Sequence, residues 1–156
     1  VGDLTFCPPE AGEAEELEAN LRPADRAEII AASGPDTLGI IRGALAISQH
    51  AITVREAGEL LCVFGVVEGD LLGRIAIPWM LGTPALDQRA RTLIRVTRRY
   101  FDAMLDLYPL LVNYADARHV DSLRLVRAAG CTVHPAEPFG FEGRPFHKFT
   151  RERAYV

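Results

Sequence analysis

The chain has 156 residues, 49% hydrophobic and 24% charged, which suffices for one domain with a buried core. No apolar run approaches the ~20 residues needed to cross a bilayer. The formal charge of -4 is concentrated in residues 1–36, which carry nine acids against two bases. The remainder is only mildly basic, too weak a bias to predict nucleic-acid binding.

Residues 4–7 (Leu-Thr-Phe-Cys) form a short β-like run stopped by Pro8 and Pro9. In the acidic stretch 10–21, Ala11, Ala14, Leu17 and Leu21 recur at helical spacing. Pro23 suits the first turn of a second helix, with Ala27 and Ile30 as its inner face. Asp36 is a good N-cap for a third helix, from 37 to about 49. Leu38, Ile41, Leu45 and Ser48 share one face of it.

Residues 51–56 alternate, as in a half-buried strand. The turn 57–59 leads to the apolar run 60–67, and the turn 68–70 leads towards a third strand at 73–80. Short Gly-bearing turns make these an antiparallel meander. The middle strand is apolar on both faces, so helices are expected on both sides of the sheet. A long amphipathic helix is expected from about 86 to 107. Leu86, Ala90, Leu93, Thr97, Phe101, Met104 and Tyr108 form its apolar stripe.

Residues 110–115 read as a strand parallel to 73–80, because a helix joins the two. Asp116 is expected to cap a helix over 118–129, closed by Gly130. Residues 131–136 and 144–151 read as the last two strands, joined by a Pro/Gly-rich connection over 137–143. The fold class is α/β (α+β): a single domain over 1–156, with a mixed sheet of about seven strands. Residues 1–50 form its acidic helical part and 51–156 its sheet core. Val1 to Asp3 have no basic or apolar leader, so no signal peptide is expected. Three widely spaced cysteines, Cys7, Cys62 and Cys131, fit free thiols in a reducing compartment.

This order resembles the GNAT (Gcn5-related N-acetyltransferase) fold. The segment from Asn113 to Cys131 resembles the strand and short helix that carry one of that family's motifs. Four stretches resemble more closely a phage-encoded GNAT-like family, which includes the internal virion protein of T-odd short-tailed coliphages. They are Pro-Trp-Met-Leu-Gly-Thr (78–83), Tyr-Pro-Leu-Leu-Val-Asn (108–113), the helix from Ser122 to Gly130 and the ending 139–149. The resemblance covers roughly the last two-thirds of the chain.

It implies a loop at the helix start whose amides hold the diphosphate of acetyl-CoA. Leu81, Gly82, Thr83, Ala85 and Leu86 would be those residues if the coenzyme binds. This loop has a single glycine, Pro84 lacks an N–H, and Asp87 adds negative charge. Where many of these enzymes carry an Asn and a proton-donating Tyr, this chain has His119 and Val126. The expectation is therefore a non-catalytic virion, internal or assembly component that needs no cofactor. Its partners would be other phage structural proteins or copies of itself, in the virion or the host cytoplasm. The alternative is an acetyl-CoA-dependent N-acyltransferase with an amine acceptor.

Glu56 and His119 are the candidate catalytic residues. Glu56, with Glu59 nearby, lies on the meander, where such enzymes often place a base. His119 follows a strand and starts a helix; its ordinary reading is an exposed helix-start residue. Cys131 and His134 have no second pair at zinc spacing, so no metal is expected. Trp79 is expected to be a core or interface aromatic. Arg89, Arg91, Arg95, Arg98 and Arg99 are expected on a solvated helix side, with Arg98 pairing Asp102. Asn113 is expected to hydrogen-bond in the gap between central strands. Phe139, Phe146 and Phe149 are expected to pack the last strands.

Overall fold

The computed structural model describes residues 3–154. Strand β1 (Leu4–Cys7) is followed by helices α1 (Glu13–Ala19), α2 (Pro23–Ser33) and α3 (Thr37–Ile47). The meander is β2 (Gln49–Glu56), β3 (Glu59–Glu68) and β4 (Ile75–Gly82). A 3₁₀ turn, Pro84–Arg89, leads into α4 (Ala90–Leu107). Then come β5 (Leu110–Asp116), α5 (Val120–Ala128), β6 (Thr132–Phe139) and β7 (Arg144–Glu152). The strands form one seven-stranded mixed sheet in the order β1-β2-β3-β4-β5-β7-β6. Its neighbours are antiparallel except β4 and β5, which run parallel as expected.

The sheet is covered on both faces. Leu17, Ile29 and Ile41 of α1–α3 pack on Leu60 and Val63. On the other face Phe101 and Met104 of α4 pack on Val66, Ala76 and Leu111. Leu123 and Val126 of α5 pack there on Ala115 and Phe149. Leu60 and Val63 share a face despite odd spacing because the β2–β3 register slips between Val54/Cys62 and Arg55/Leu60. An extra residue in one strand reverses the alternation beyond it.

Several boundaries differ from the sequence reading. Helix α4 starts at Ala90, four residues late, because the chain from Pro84 to Arg89 forms the tighter turn first. Strand β4 starts at Ile75, because the Asp70 carboxylate accepts the N–H groups of Arg74 and Ile75 and closes the preceding turn. Strand β6 extends to Phe139 rather than stopping at 136. In α2 the buried residues are Asp25, Ile29 and Ala31, not Ala27 and Ile30. The cap of α5 is His119, whose ring accepts the N–H of Ser122; Asp116 turns instead to the N–H of Arg118.

Strands β4 and β5 stay together only briefly. Their register covers Ile75↔Leu110 and Ala76↔Leu111 and then ends. The next β4 residue facing β5 is Pro78. It has no N–H, so the ladder cannot continue across it. Beyond this point the strands part, and the Asn113 side chain bridges the gap by donating to the Pro78 carbonyl at 2.7 Å.

Candidate functional site

The parting of β4 and β5 opens a cleft of about 300 Å³. It runs through the sheet. On the α1–α3 side its walls include Ile29, Ile40, Trp79, Tyr114 and Phe139. On the α4–α5 side they include Phe101, Ser122 and Val126. A second cleft of about 250 Å³ continues between the start of α4 and α5, past Ala90, Ile94 and Arg124.

The β4 edge supplies the backbone chemistry. The N–H of Gly69 bonds to Ile75 and that of Thr83 to Leu61, fixing which β4 residues face β3. By the two-residue period of a strand, Ala76, Pro78, Met80 and Gly82 face the other way. Ala76 pairs with β5 and the Pro78 carbonyl is taken by Asn113. The Gly82 N–H donates to Asp25 Oδ2 at 2.8 Å, and its carbonyl accepts the Arg22 N–H at 2.9 Å. Met80 alone of these four presents both its N–H and its C=O to the cleft with no strand opposite.

Asp25 is the hub of a buried polar cluster. Arg22 grips it with Nε at 2.9 Å and Nη2 at 3.1 Å, and His119 Nε2 lies 2.6 Å from Oδ1. Asp25 is 2% exposed and His119 4%. Burial opposes the Asp25 charge, but the His119 hydrogen bond and the Arg22 guanidinium outweigh it and hold the carboxyl below its usual range. Burial likewise opposes charge on His119. The Asp25 hydrogen bond and the Glu28 charge prevail, and its pKa lies above the ordinary histidine value.

Glu28 sits one turn further along α2 and also lines the cleft. Its Oε2 accepts the Asp116 N–H at 2.9 Å, and no arginine or lysine pairs with it among the described residues. Burial pushes its pKa up to about 7, against the pull of His119. Asp116, by contrast, is neutralised by Arg118 at 2.7 Å. A carboxyl that titrates near neutrality, in a cleft, can accept a proton at physiological pH.

The cluster holds His119 but not Glu56. His119 is buried rather than an exposed helix-start residue, because its ring lies against Asp25 of α2. Glu56 lies at the end of β2, pairs with Arg89 at 2.7 Å and does not line the cleft. Glu59 is exposed at the same turn. In the loop after β4, three amides are already committed: Gly82 to Asp25, Thr83 to Leu61 and Leu86 to Thr83. The Thr83 hydroxyl bonds to the Leu60 carbonyl, and Leu86 is buried against β3. Leu81 packs towards α1–α3, and Ala85 packs beside Leu86 in the cluster of Val54, Leu61 and Phe64.

Trp79 is half-buried and forms a cleft wall while its Nε1 donates to Ser48 Oγ at 2.7 Å. Asn113 does bond across the strand gap, as read from the sequence. Arg91, Arg95, Arg98 and Arg99 are exposed, but Asp102 pairs with Arg151 rather than Arg98. Phe139 stacks on Tyr114 at 4.0 Å and tilts against Phe146 at 5.2 Å. Val126 forms part of the cleft wall.

Asp25, Glu28 and Arg22 were the residues that sequence reasoning missed. They stood inside an acidic run and looked like solvated helix charge. The available signal was their spacing, since Arg22, Asp25 and Ile29 fall at i, i+3 and i+7 on one face.

Several solved structures share this architecture. One is a spermidine N-acetyltransferase from Vibrio cholerae in complex with CoA and spermine. It has 17% identity and a TM-score of 0.67, with 96% of this chain and 95% of that chain covered. An acetyltransferase of the GNAT family from Streptococcus pneumoniae matches at 10% identity and a TM-score of 0.64, covering 97% and 100%. AAC(6')-Ib in complex with ribostamycin and coenzyme A matches at 10% identity and a TM-score of 0.70, covering 97% and 94%. No protein-family model matches the chain, and no curated protein matches it in sequence. At these identities the likeness establishes the fold. The chain has the GNAT acetyltransferase fold, and no helix among the described residues is long and apolar enough to cross a membrane.

Proposed function

We propose that the chain, folded as one domain, is an N-acyltransferase. It would move an acyl group from a thioester, acetyl-CoA being the simplest, to an amine. The observation that carries this reading is Glu28, a carboxyl with a pKa of about 7 lining a cleft that passes between β4 and β5. Two kinds of chemistry meet there. Met80 offers an unpaired N–H and C=O, the groups with which an extended, amide-bearing thioester arm can pair as an added strand. Glu28 accepts the proton that an ammonium must lose before its nitrogen can attack the thioester carbonyl. The solved neighbours that contain CoA support the same donor class.

The arm of acetyl-CoA fits this edge; the loop fits its diphosphate poorly. Three of the amides over residues 82–86 are spent inside the protein, and Pro84 has none. Asp87 adds a carboxylate beside them, where it accepts from Arg22. No catalytic step is assigned to that loop. Val126 supplies no proton, so the departing thiolate would be protonated by solvent.

The test is thiol release from acetyl-CoA in the presence of amines, together with thermal unfolding. Saturating donor at a hundredfold excess over Kd stabilises by about 2.7 kcal/mol. The absence of both a melting shift and thiol release at millimolar acetyl-CoA would overturn the reading.

A second reading has its own support in the committed loop amides and in Val126. It is a non-catalytic phage component that keeps this frame, with other phage structural proteins or further copies of the chain as partners. It would act in the virion or in the host cytoplasm. Recovery of the chain in purified particles at fixed stoichiometry is its expected outcome, and absence from particles and assembly intermediates sinks it.

A further inference from the structure

The cleft has unlike ends, and the end facing α2 and α3 is where an acceptor would lie. We infer that the acceptor is a monoamine on an apolar, aromatic-sized body, not a polyamine or other polycation. This deepens the acyl-transfer reading above and rests on it for the reaction.

Charge comes first. Of the carboxylates around the cleft, Asp25 is held by Arg22 and His119, and Asp116 by Arg118. Among the described residues Glu28 is left as the one carboxylate there with no guanidinium or imidazole hydrogen-bonded to it. The cleft can therefore compensate one ammonium. Each further ammonium would lose its hydration with no anion to meet it, a cost that rises steeply in an apolar enclosure.

The walls point the same way. Ile29 and Ile40 supply aliphatic surface, and Trp79, Tyr114 and Phe139 supply ring surface. The Trp79 N–H is already satisfied by Ser48, so its ring meets the cleft as an apolar body. Tyr114 and Phe139 stack nearly parallel, with planes 9° apart, and so present a ready-made aromatic wall.

That wall is fixed in place. The β6–β7 turn is fastened over the end of α2 by the N–H groups of Phe141 and Glu142, which donate to the carbonyls of Ala32 and Ala31. Gly140 between them has φ +76°, and a Cβ there would lie 2.7 Å from the Ala32 Cα. Only glycine brings the turn this close. Phe139 is held against the cleft in consequence, so the apolar end is preformed rather than assembled by the ligand.

The experiment is calorimetric titration of the intact chain with 2-phenylethylamine, spermidine and benzyl alcohol, with no donor present. Emission from Trp79, the single tryptophan, is followed in parallel. We expect saturable 2-phenylethylamine binding at least tenfold tighter than spermidine. Glu28→Gln should weaken it at least tenfold, and Ala44→Trp, which fills the apolar end from α3, should abolish it. Spermidine binding as tightly as the aromatic amine, or benzyl alcohol binding equally well, would overturn the inference. The wild-type comparison decides even if either variant is poorly folded. Amine selectivity without thiol release leaves this inference standing and removes the transfer reading. Thiol release with spermidine but not with 2-phenylethylamine does the reverse.

Discussion

Met80 and Gly82 are two residues apart on the same edge of β4, yet their backbone groups are in opposite states. Gly82 has both backbone groups engaged, its N–H by Asp25 and its C=O by Arg22. Met80 has neither group matched by a strand. The same divide separates Asp25, which is neutralised from two sides, from Glu28, which is not. One rim of the strand gap is thus locked by the protein's own charges, while the other is left open for chemistry. A site can be recognised by what its neighbours have not already satisfied, and proximity to a loop or motif is a weaker guide.

The sharpest way to break the locked rim is Asp25→Asn. It takes from the buried Arg22 guanidinium its nearer anion and leaves only the more exposed Asp87 carboxylate at 3.4 Å, which costs up to about 3–5 kcal/mol. Chemical denaturation should report a lower midpoint with an unchanged slope. A loss below about 1 kcal/mol would mean that the cluster is not dry.

The open rim is tested by Glu28→Gln. The Glu28 carboxyl is raised in the folded protein from an ordinary 4.5 to about 7. The folded state therefore holds that proton more tightly than the unfolded chain. Its stabilising contribution is full below pH 4.5 and is lost as pH rises to about 7. Relative to the parent, the glutamine variant should gain up to about 3 kcal/mol on going from pH 4 to pH 8. If an amine is the acceptor, turnover should fall about 10²–10⁴-fold in the same variant. A parallel stability–pH profile would place the Glu28 carboxyl in ordinary solvent.

Gly140→Ala tests whether the aromatic wall is held by the β6–β7 turn. Positive φ and the clash with α2 together should cost about 2 kcal/mol. Amine affinity should fall while the Asp25 cluster stays intact, which a histidine titration would follow. Asn113→Ala removes the bridge across the strand gap and should cost about 1 kcal/mol by thermal melting. The smallest effect belongs far from both rims. Arg42 and Glu15 are paired on the surface, both half-exposed, and Arg42→Ala should move stability by less than about 0.5 kcal/mol.

The elements were largely legible before the site was. The α4 stripe and the meander turns are local patterns, and a local pattern survives whatever packs against it. The residues bearing charge in the cleft were less legible. Asp25 and Glu28 share an acidic stretch with Glu15 and Glu16, and nothing in their identity separates solvated acids from enclosed ones. His119 was placed at a helix start correctly but assigned to solvent wrongly. Its burial depends on α2, whose Asp25 lies 94 residues away in the chain. Glu56 was favoured for its place on the meander, but Arg89 meets it there, outside the cleft.

By itself the sequence determined the order and kind of the elements, the parallel setting of β4 and β5, and the single glycine and missing Pro84 N–H in the loop after β4. Periodicity, proline and glycine act through the backbone within a few residues. Tertiary structure alone decided which carboxyl stays unpaired, which peptide groups face an empty strand position, and that α2 closes one end of the cleft. Those properties depend on desolvation and on partners distant in sequence, and neither exists until the sheet and helices have met.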